Sequence, residues 1–301
     1  MDASENSCDV TMALAPSGAS SQVAFAKRVA VQLNRVARKF GFEIRRFAPP
    51  ARQDFDNWMY YGQLLQTGWE RARAGAADPF ELQFVDYALR RHRLSKSQIF
   101  QDLLVLLVLR EKRGGFFVEF GATNGISLSN TYLLEAAYAW RGILAEPARI
   151  WHRALRDNRR AVIDTRCVWA RTGKMLHFNE ALASELSTID RYSDRDSHRQ
   201  DRAGHRYAVE TVSLNDLLRA HDAPRKIDYL SIDTEGSELA ILEAFDFAAY
   251  DIGVMTVEHN YATPDRERIA ALLAPRGFRQ VLGDYSLFDD WYVQERLLAA
   301  P

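Results

Sequence analysis

Four carboxylates and one histidine stand at the ends of short apolar runs. Glu119 follows Phe116–Val118, Glu146 follows Gly142–Ala145, Asp233 follows Ile227–Ile232, and Glu258 with His259 follows Ile252–Val257. Runs this short and this rich in β-branched and aromatic residues read as buried strands. In an open α/β sheet the ligand lies beyond the C-terminal strand ends, so these groups are expected along one edge. Such groups can take up a proton, hold a hydroxyl-rich ligand or bind a divalent ion. Asp233, His259 and Glu235 are the candidates for catalysis, with Glu238 and Glu258 as further acids beside them. His259 has the ordinary pKa best suited to a base near neutrality. The acids from Asp233 to Glu238 also fit the start of a helix, where the dipole favours negative charge. A divalent ion on Asp233, Glu258 and His259 is compatible with the residue types but is not predicted, and no metal ligand set is assigned.

Between the first two strand ends lies the densest signal. In Glu119-Phe-Gly121-Ala122-Thr-Asn-Gly125 two glycines bracket a tight turn, and a helix is expected over Asn130–Trp140. Glycines let a ligand approach the backbone, and a helix start offers N–H groups. Glu146 lies 21 positions beyond Gly125, where a carboxylate meets a ribose in βαβ nucleotide sites. Dinucleotide sites carry G-x-G-x-x-G, but here the middle glycine is missing and an acid precedes the first. That acid would face a pyrophosphate badly. It suits the ammonium of S-adenosylmethionine, with Glu146 accepting the ribose hydroxyls. A nicotinamide-dependent oxidoreductase on the same sheet and a non-catalytic binding or scaffold protein are the alternatives.

The elements that must carry these residues alternate between helix and strand, as a doubly wound sheet requires. The chain has 301 residues, 47% of them hydrophobic, enough for one main domain with an extension. Lys plus Arg total 39 against 40 for Asp plus Glu, so no global field draws it to nucleic acid. Cys8 and Cys167 form neither a disulfide framework nor a zinc site, which makes a cytoplasmic setting the expectation.

Residues 1–21 are expected to be a disordered tail, 22–94 a helical extension or cap, and 95–301 the main domain. Within 23–47 apolar Val29, Leu33, Val36 and Phe40 recur at helical spacing beside seven basic residues and the single Glu43, a pattern compatible with a membrane surface, a protein partner or packing on its own domain. Ser95–Arg113 is expected as one helix, Thr165–Trp169 and Met175–Phe178 as strands. Ala183–Arg206, rich in Arg and His after position 190, is expected to interrupt the fold as a substrate lid or a disordered insertion. Oligomeric state is not legible.

The runs SQIFQDLLVLLVLREKRGGFFVEFGATNGISLSNTYLLE, LAEP at 144–147, IDYLSIDTEGSELAIL at 227–242 and VEHN at 257–260 resemble the FkbM family of S-adenosylmethionine-dependent methyltransferases. The resemblance covers about residues 95–294. It implies a class I methyltransferase fold, Rossmann-like and α/β, with a doubly wound seven-stranded sheet. It also implies S-adenosyl-L-methionine as cofactor and O-methylation of a glycan, glycolipid or secondary metabolite. Carried over by position, Glu119, Gly121, Ala122 and Gly125 match the cofactor loop, and Glu146 the acid that holds the ribose. Cys167 and Val168 lie on the strand bordering the adenine, and Asp233 and Glu235 beside the transfer centre.

Overall fold

The computed structural model describes residues 52–182, 187–193 and 203–298. The chain divides into two compact units, Met1–Phe55 and Asp56–Pro301, and the second holds every strand described below. The expected tail, the basic segment 23–47 and Cys8 lie outside the described residues.

Seven strands make the main sheet in the order β10-β11-β9-β8-β1-β2-β3. They are β1 Phe116–Phe120, β2 Arg141–Ala145, β3 Val162–Asp164, β8 Lys226–Ile232, β9 Asp251–Glu258, β10 Phe278–Val281 and β11 Asp289–Gln294. The five strands from β9 to β3 are parallel, and β11 runs antiparallel to both β9 and β10. This is the seven-stranded class I methyltransferase architecture.

Burial explains why the parallel strands are apolar almost throughout. In β8 every residue after Lys226 is buried, as expected where helices cover both faces of a sheet. Alternate residues serve alternate faces. Phe117, Tyr229 and Val254 pack into one layer, while Val118, Leu230 and Met255 pack into the other. The first layer includes Tyr60 and Leu64 from α1 (Arg52–Arg73) and Phe84 and Ala88 from α2 (Pro79–Arg91). These two helices therefore belong to the core of the sheet. The second layer takes Leu217 and Leu218 from α6 (Leu214–Ala220), Ile241 and Leu242 from α7 (Glu238–Glu243), and Ile269 and Leu273 from α8 (Thr263–Leu273).

A second sheet, ordered β4-β7-β5-β6, comprises Cys167–Trp169, Gly204–Ser213, Met175–Ala181 and Thr188–Ile189. Two expectations change here. Of the strand expected over Thr165–Trp169, the part Cys167–Trp169 is formed and belongs to the smaller sheet, while Val162–Asp164 pairs with β2. Arg166 marks the break, its backbone N–H and guanidinium both bonding the Asp164 carboxylate. The segment expected to interrupt the fold contributes an edge strand and the start of β7. The remaining positions of that segment, 183–186 and 194–202, lie outside the described residues.

The expected helix Ser95–Arg113 shortens to α3, Gln101–Val108. Ser95 and Ser97 both donate to the buried Asp102 carboxylate, at 2.6 and 2.7 Å, and Phe100 has φ +64°. Side chains that bind this acid hold residues 95–100 out of the helix. Arg110 and Glu111, both at positive φ, end it before Arg113. Likewise α4 is shorter than expected, Tyr132–Tyr138, because Ser129–Thr131 form a loop on Glu119.

Candidate active site

The ends of β1, β2, β8 and β9 bring Glu119, Glu146, Asp233 and Glu258 to one edge, since the four strands are neighbours in register. Along this edge the β1 loop presses on the β8 loop. Gly121 has φ +71°, and a Cβ there would lie 2.3 Å from the Asp233 carbonyl oxygen. Gly125, at φ +80°, turns its α-carbon toward Arg159 and Leu155, whose side-chain atoms lie 2.6 and 2.7 Å from where a Cβ would sit. Both positions combine a left-handed backbone with no room, so only glycine fits.

Glu119 does not project toward a ligand. Its carboxylate accepts from Asn130 N–H at 2.6 Å, from Ser129 Oγ at 3.1 Å and from Thr131 Oγ1. It thus shapes the loop, and the loop presents Asn130. The Asn130 Nδ2 donates to Ser231 Oγ at 2.9 Å, while its buried Oδ1 has no hydrogen-bond partner. A buried acceptor left without a donor costs on the order of 1–3 kcal/mol, so this atom marks a place for a donor group on a ligand.

Arg159, just beyond α5 (His152–Asn158), carries no sequence signal and is central to this arrangement. Its Nη1 donates to the Gly125 carbonyl and to Ser129 Oγ, both at 3.1 Å, and its Nη2 to Thr131 Oγ1 at 2.9 Å. Its Nε bonds Glu135 at 3.0 Å. A basic residue 34 positions beyond Gly125 resembles any surface arginine in sequence; only folding α5 back over the loop gives it these partners.

Glu146 is buried just past β2. One oxygen accepts from Thr123 N–H and the other from Ala148 N–H, each at 2.8 Å. Burial pushes the carboxyl up to about 7, against the lowering effect of these two bonds. Each oxygen keeps a second lone pair for a hydroxyl. The Ala122 methyl is in the core, so only its backbone can meet a ligand. Of the two residues on β4, Cys167 packs with Ala148 and Trp151 on the Glu146 side, and burial raises its thiol to about 12. Val168 packs with Val212 and Leu214 in the main core.

Past β8 the acids converge. Asp233 is half-buried and pushed up to about 8, first by burial and then by the charge of Asp289. Its carboxyl is within hydrogen-bonding reach of Glu258, whose own carboxyl is raised by burial and by Asp233. Two like groups this close favour holding one proton between them. Glu235, at φ +58°, accepts from Asn260 Nδ2 at 3.1 Å. Its carbonyl accepts from Thr188 Oγ1 at 2.8 Å, so the edge strand of the smaller sheet is fastened to this loop. Glu238 is committed to its own turn, accepting from Thr234 N–H, Thr234 Oγ1 and Gly236 N–H.

His259 is turned away from this group of acids. Its Nδ1 accepts from Tyr261 N–H at 3.0 Å, and its Nε2 faces Asp290 at 3.6 Å with the side chain almost fully buried. Burial lowers its pKa. The geometry places a turn-forming, neutral imidazole where the sequence suggested a base, because residue 259 follows Glu258 by one and faces the other way.

Residues 119–280 match the Methyltransferase FkbM domain, more than half of the 301-residue chain. The chain belongs to the FkbM methyltransferase family. The matched stretch runs from Glu119 to the last strand but one and so contains the whole strand-end cluster. FkbM membership supports methyl transfer over the oxidoreductase alternative. Among solved structures, a selenomethionine-substituted CurJ carbon methyltransferase aligns over 91% of this chain and 80% of that one, with 10% identity and a TM-score of 0.35. A likeness so distant bears on neither substrate nor reaction. No curated protein matches the chain. Among the described residues, no helix is long and apolar enough to cross a membrane.

Proposed function

We propose that this chain is an S-adenosylmethionine-dependent O-methyltransferase acting on a hydroxyl of a glycan, glycolipid or secondary metabolite. The observation that carries the reading is the pairing, at one sheet edge, of a glycine cradle and two ribose- and ammonium-suited acceptors with an acid pair. Gly121 supplies the close backbone approach, Glu146 the acceptor for two ribose hydroxyls, and the lone Asn130 Oδ1 an acceptor for an ammonium. Glu119 acts behind them through the 129–131 loop. Cys167, rather than Val168, stands on the adenine side.

S-adenosylmethionine, when bound, supplies an electrophilic methyl group. The chain's own part is to orient an acceptor and take its proton. Asp233 and Glu258 suit the second task, since their raised affinity for a proton makes the pair a usable base near neutrality. Glu235 suits the first, being held by Asn260 and Thr188 beside them. Catalysis is accordingly assigned to Asp233 with Glu258, and His259 to holding the turn. A cytoplasmic location and an acceptor that is a small molecule or glycan remain part of this proposal.

Calorimetry with S-adenosylhomocysteine is the direct test. The reading expects 1:1 binding that Glu146→Ala weakens by about tenfold or more, the scale of a lost pair of hydrogen bonds to a charged group. Absence of binding, or binding that Glu146→Ala leaves alone, overturns it.

A further inference from the structure

We propose that Asp233, Glu235 and Glu258 form a binding site for a hard divalent cation such as magnesium, manganese or calcium. Each contributes an oxygen, and the three atoms lie within 4.8 Å of one another. That spacing suits oxygens arranged about one ion at ~2.0–2.6 Å each. The donor set is all carboxylate, which selects these ions over zinc or copper.

An acid cluster can exist without an ion, so the orphaned atom decides the matter. Glu258 is only 8% exposed, and its Oε2 is fully buried with no hydrogen-bond partner. Its strongest charged neighbours are Asp233, Glu235, Glu238 and Asp289, all acids. Two of the other acids nearby are satisfied by donors. Glu238 takes three from its own turn, and Asp289 takes Gln101 Nε2 at 2.9 Å. Glu258 is the member left with an unanswered acceptor. On the side of Glu258 away from Asp233 and Glu235, which do not line it, lies a partly open cavity of about 40 Å³ bordered by Gly236, Glu238, Asn260 and Ile269. At ~10–15 Å³ per water it has room for water beside Glu258.

His259, the ligand the sequence suggested, is excluded by its bond to Tyr261 and its turn toward Asp290. Glu235, at φ +58°, takes its place, one of its oxygens lying within 4.8 Å of those of Asp233 and Glu258. The inference rests on the methyl-transfer reading for its purpose, which is to hold an acceptor hydroxyl and lower its pKa; an occupied site makes ligands of Asp233 and Glu258 in place of their shared proton, so the base role of that pair belongs to the ion-free protein. Ion binding itself is independent of that reading.

The test is a manganese titration of the full chain after chelator treatment, followed by electron paramagnetic resonance, on the native protein and on Glu258→Gln and Glu235→Gln. One ion per chain is expected, with each substitution weakening it by at least about tenfold. S-adenosylhomocysteine affinity, measured alongside, should stay within about twofold in both variants, since neither residue is in the donor grip. No stoichiometric uptake by the native protein, or uptake that both variants match, overturns the site. Should a variant not fold, the native protein's melting temperature decides: millimolar manganese must raise it, and no rise overturns the site. Loss of S-adenosylhomocysteine binding with intact manganese binding would instead overturn the donor reading alone.

Discussion

Arg159 Nη1 stands 3.7 Å from Glu119 Oε2, with both side chains withdrawn from water and the glycine-rich loop wrapped around them. Glu135, at 3.0 Å from the same guanidinium, completes a buried acid-base-acid group. Breaking such a group from one side leaves charge without compensation, at a cost of roughly 3–5 kcal/mol. Arg159→Met is therefore expected to lower unfolding free energy by about that amount in urea titrations. Arg159→Lys keeps the charge but not the fork, and should fall between the two while weakening S-adenosylhomocysteine more than it weakens the fold.

Gly121 and Gly75 separate strain from collision. Both have positive φ, +71° and +66°, but only Gly121 faces an obstacle, the Asp233 carbonyl. Gly75→Ala should cost about 1 kcal/mol, the price of a left-handed alanine. Gly121→Ala must also push the β1 and β8 loops apart, so donor-analogue affinity should fall at least about tenfold. Equal effects at the two sites would contradict this.

Stability of the ligand-free, chelator-treated protein should fall as pH rises. Glu146 is raised from 4.5 to about 7, so between those values the folded chain binds more protons than the unfolded one. Stability is then greatest at the acid end of the window and declines toward neutrality, by on the order of 2–3 kcal/mol for one such group. Asp289, raised to about 7, adds a decline of the same sign, and Asp233, raised to about 8, extends it upward. Glu146→Gln should flatten part of the slope in denaturant titrations from pH 5 to 8. A slope of opposite sign would refute the burial argument.

Asp233→Asn should stabilise the metal-free protein at pH 8 while removing turnover. The substitution relieves repulsion with Glu258 and lets an amide donate to it, a gain of about 1–2 kcal/mol. The same change deletes the base, at a cost of about 10²–10⁴ in rate. His259→Ala is expected to behave inversely: a lower melting temperature from the lost bond to Tyr261 N–H, with S-adenosylhomocysteine affinity unchanged. Thermal melts of the two variants side by side distinguish the assignments.

Much of this edge was legible in the sequence because it depends on local signals. Apolar runs ending on acids placed Glu119, Glu146, Asp233 and Glu258 at strand ends, and Gly121 and Gly125 announced a turn. Short continuous apolar runs mark buried strands and turns carry their own chemistry, so neither needs distant partners to be read. The parallel, doubly wound architecture followed from the alternation of those elements.

What each side chain faces depended on partners that no apolar pattern announces, from Tyr261 two positions beyond His259 to Arg159 forty positions beyond Glu119. Glu119 turned from ligand contact to loop support because Ser129–Thr131 and Arg159 fold over it. His259 left the Asp233 group because Tyr261 N–H bonds its Nδ1 and its Nε2 faces Asp290 at 3.6 Å. Residues 95–100 stayed out of a helix because Asp102 is buried against two serines, and Cys167–Trp169 changed sheets at Arg166. The chain's order of apolar and polar residues specifies elements through local periodicity. The direction of a carboxylate, the solvent it loses and the partner it gains are settled only when the layers close, since burial and side-chain hydrogen bonding exist nowhere else.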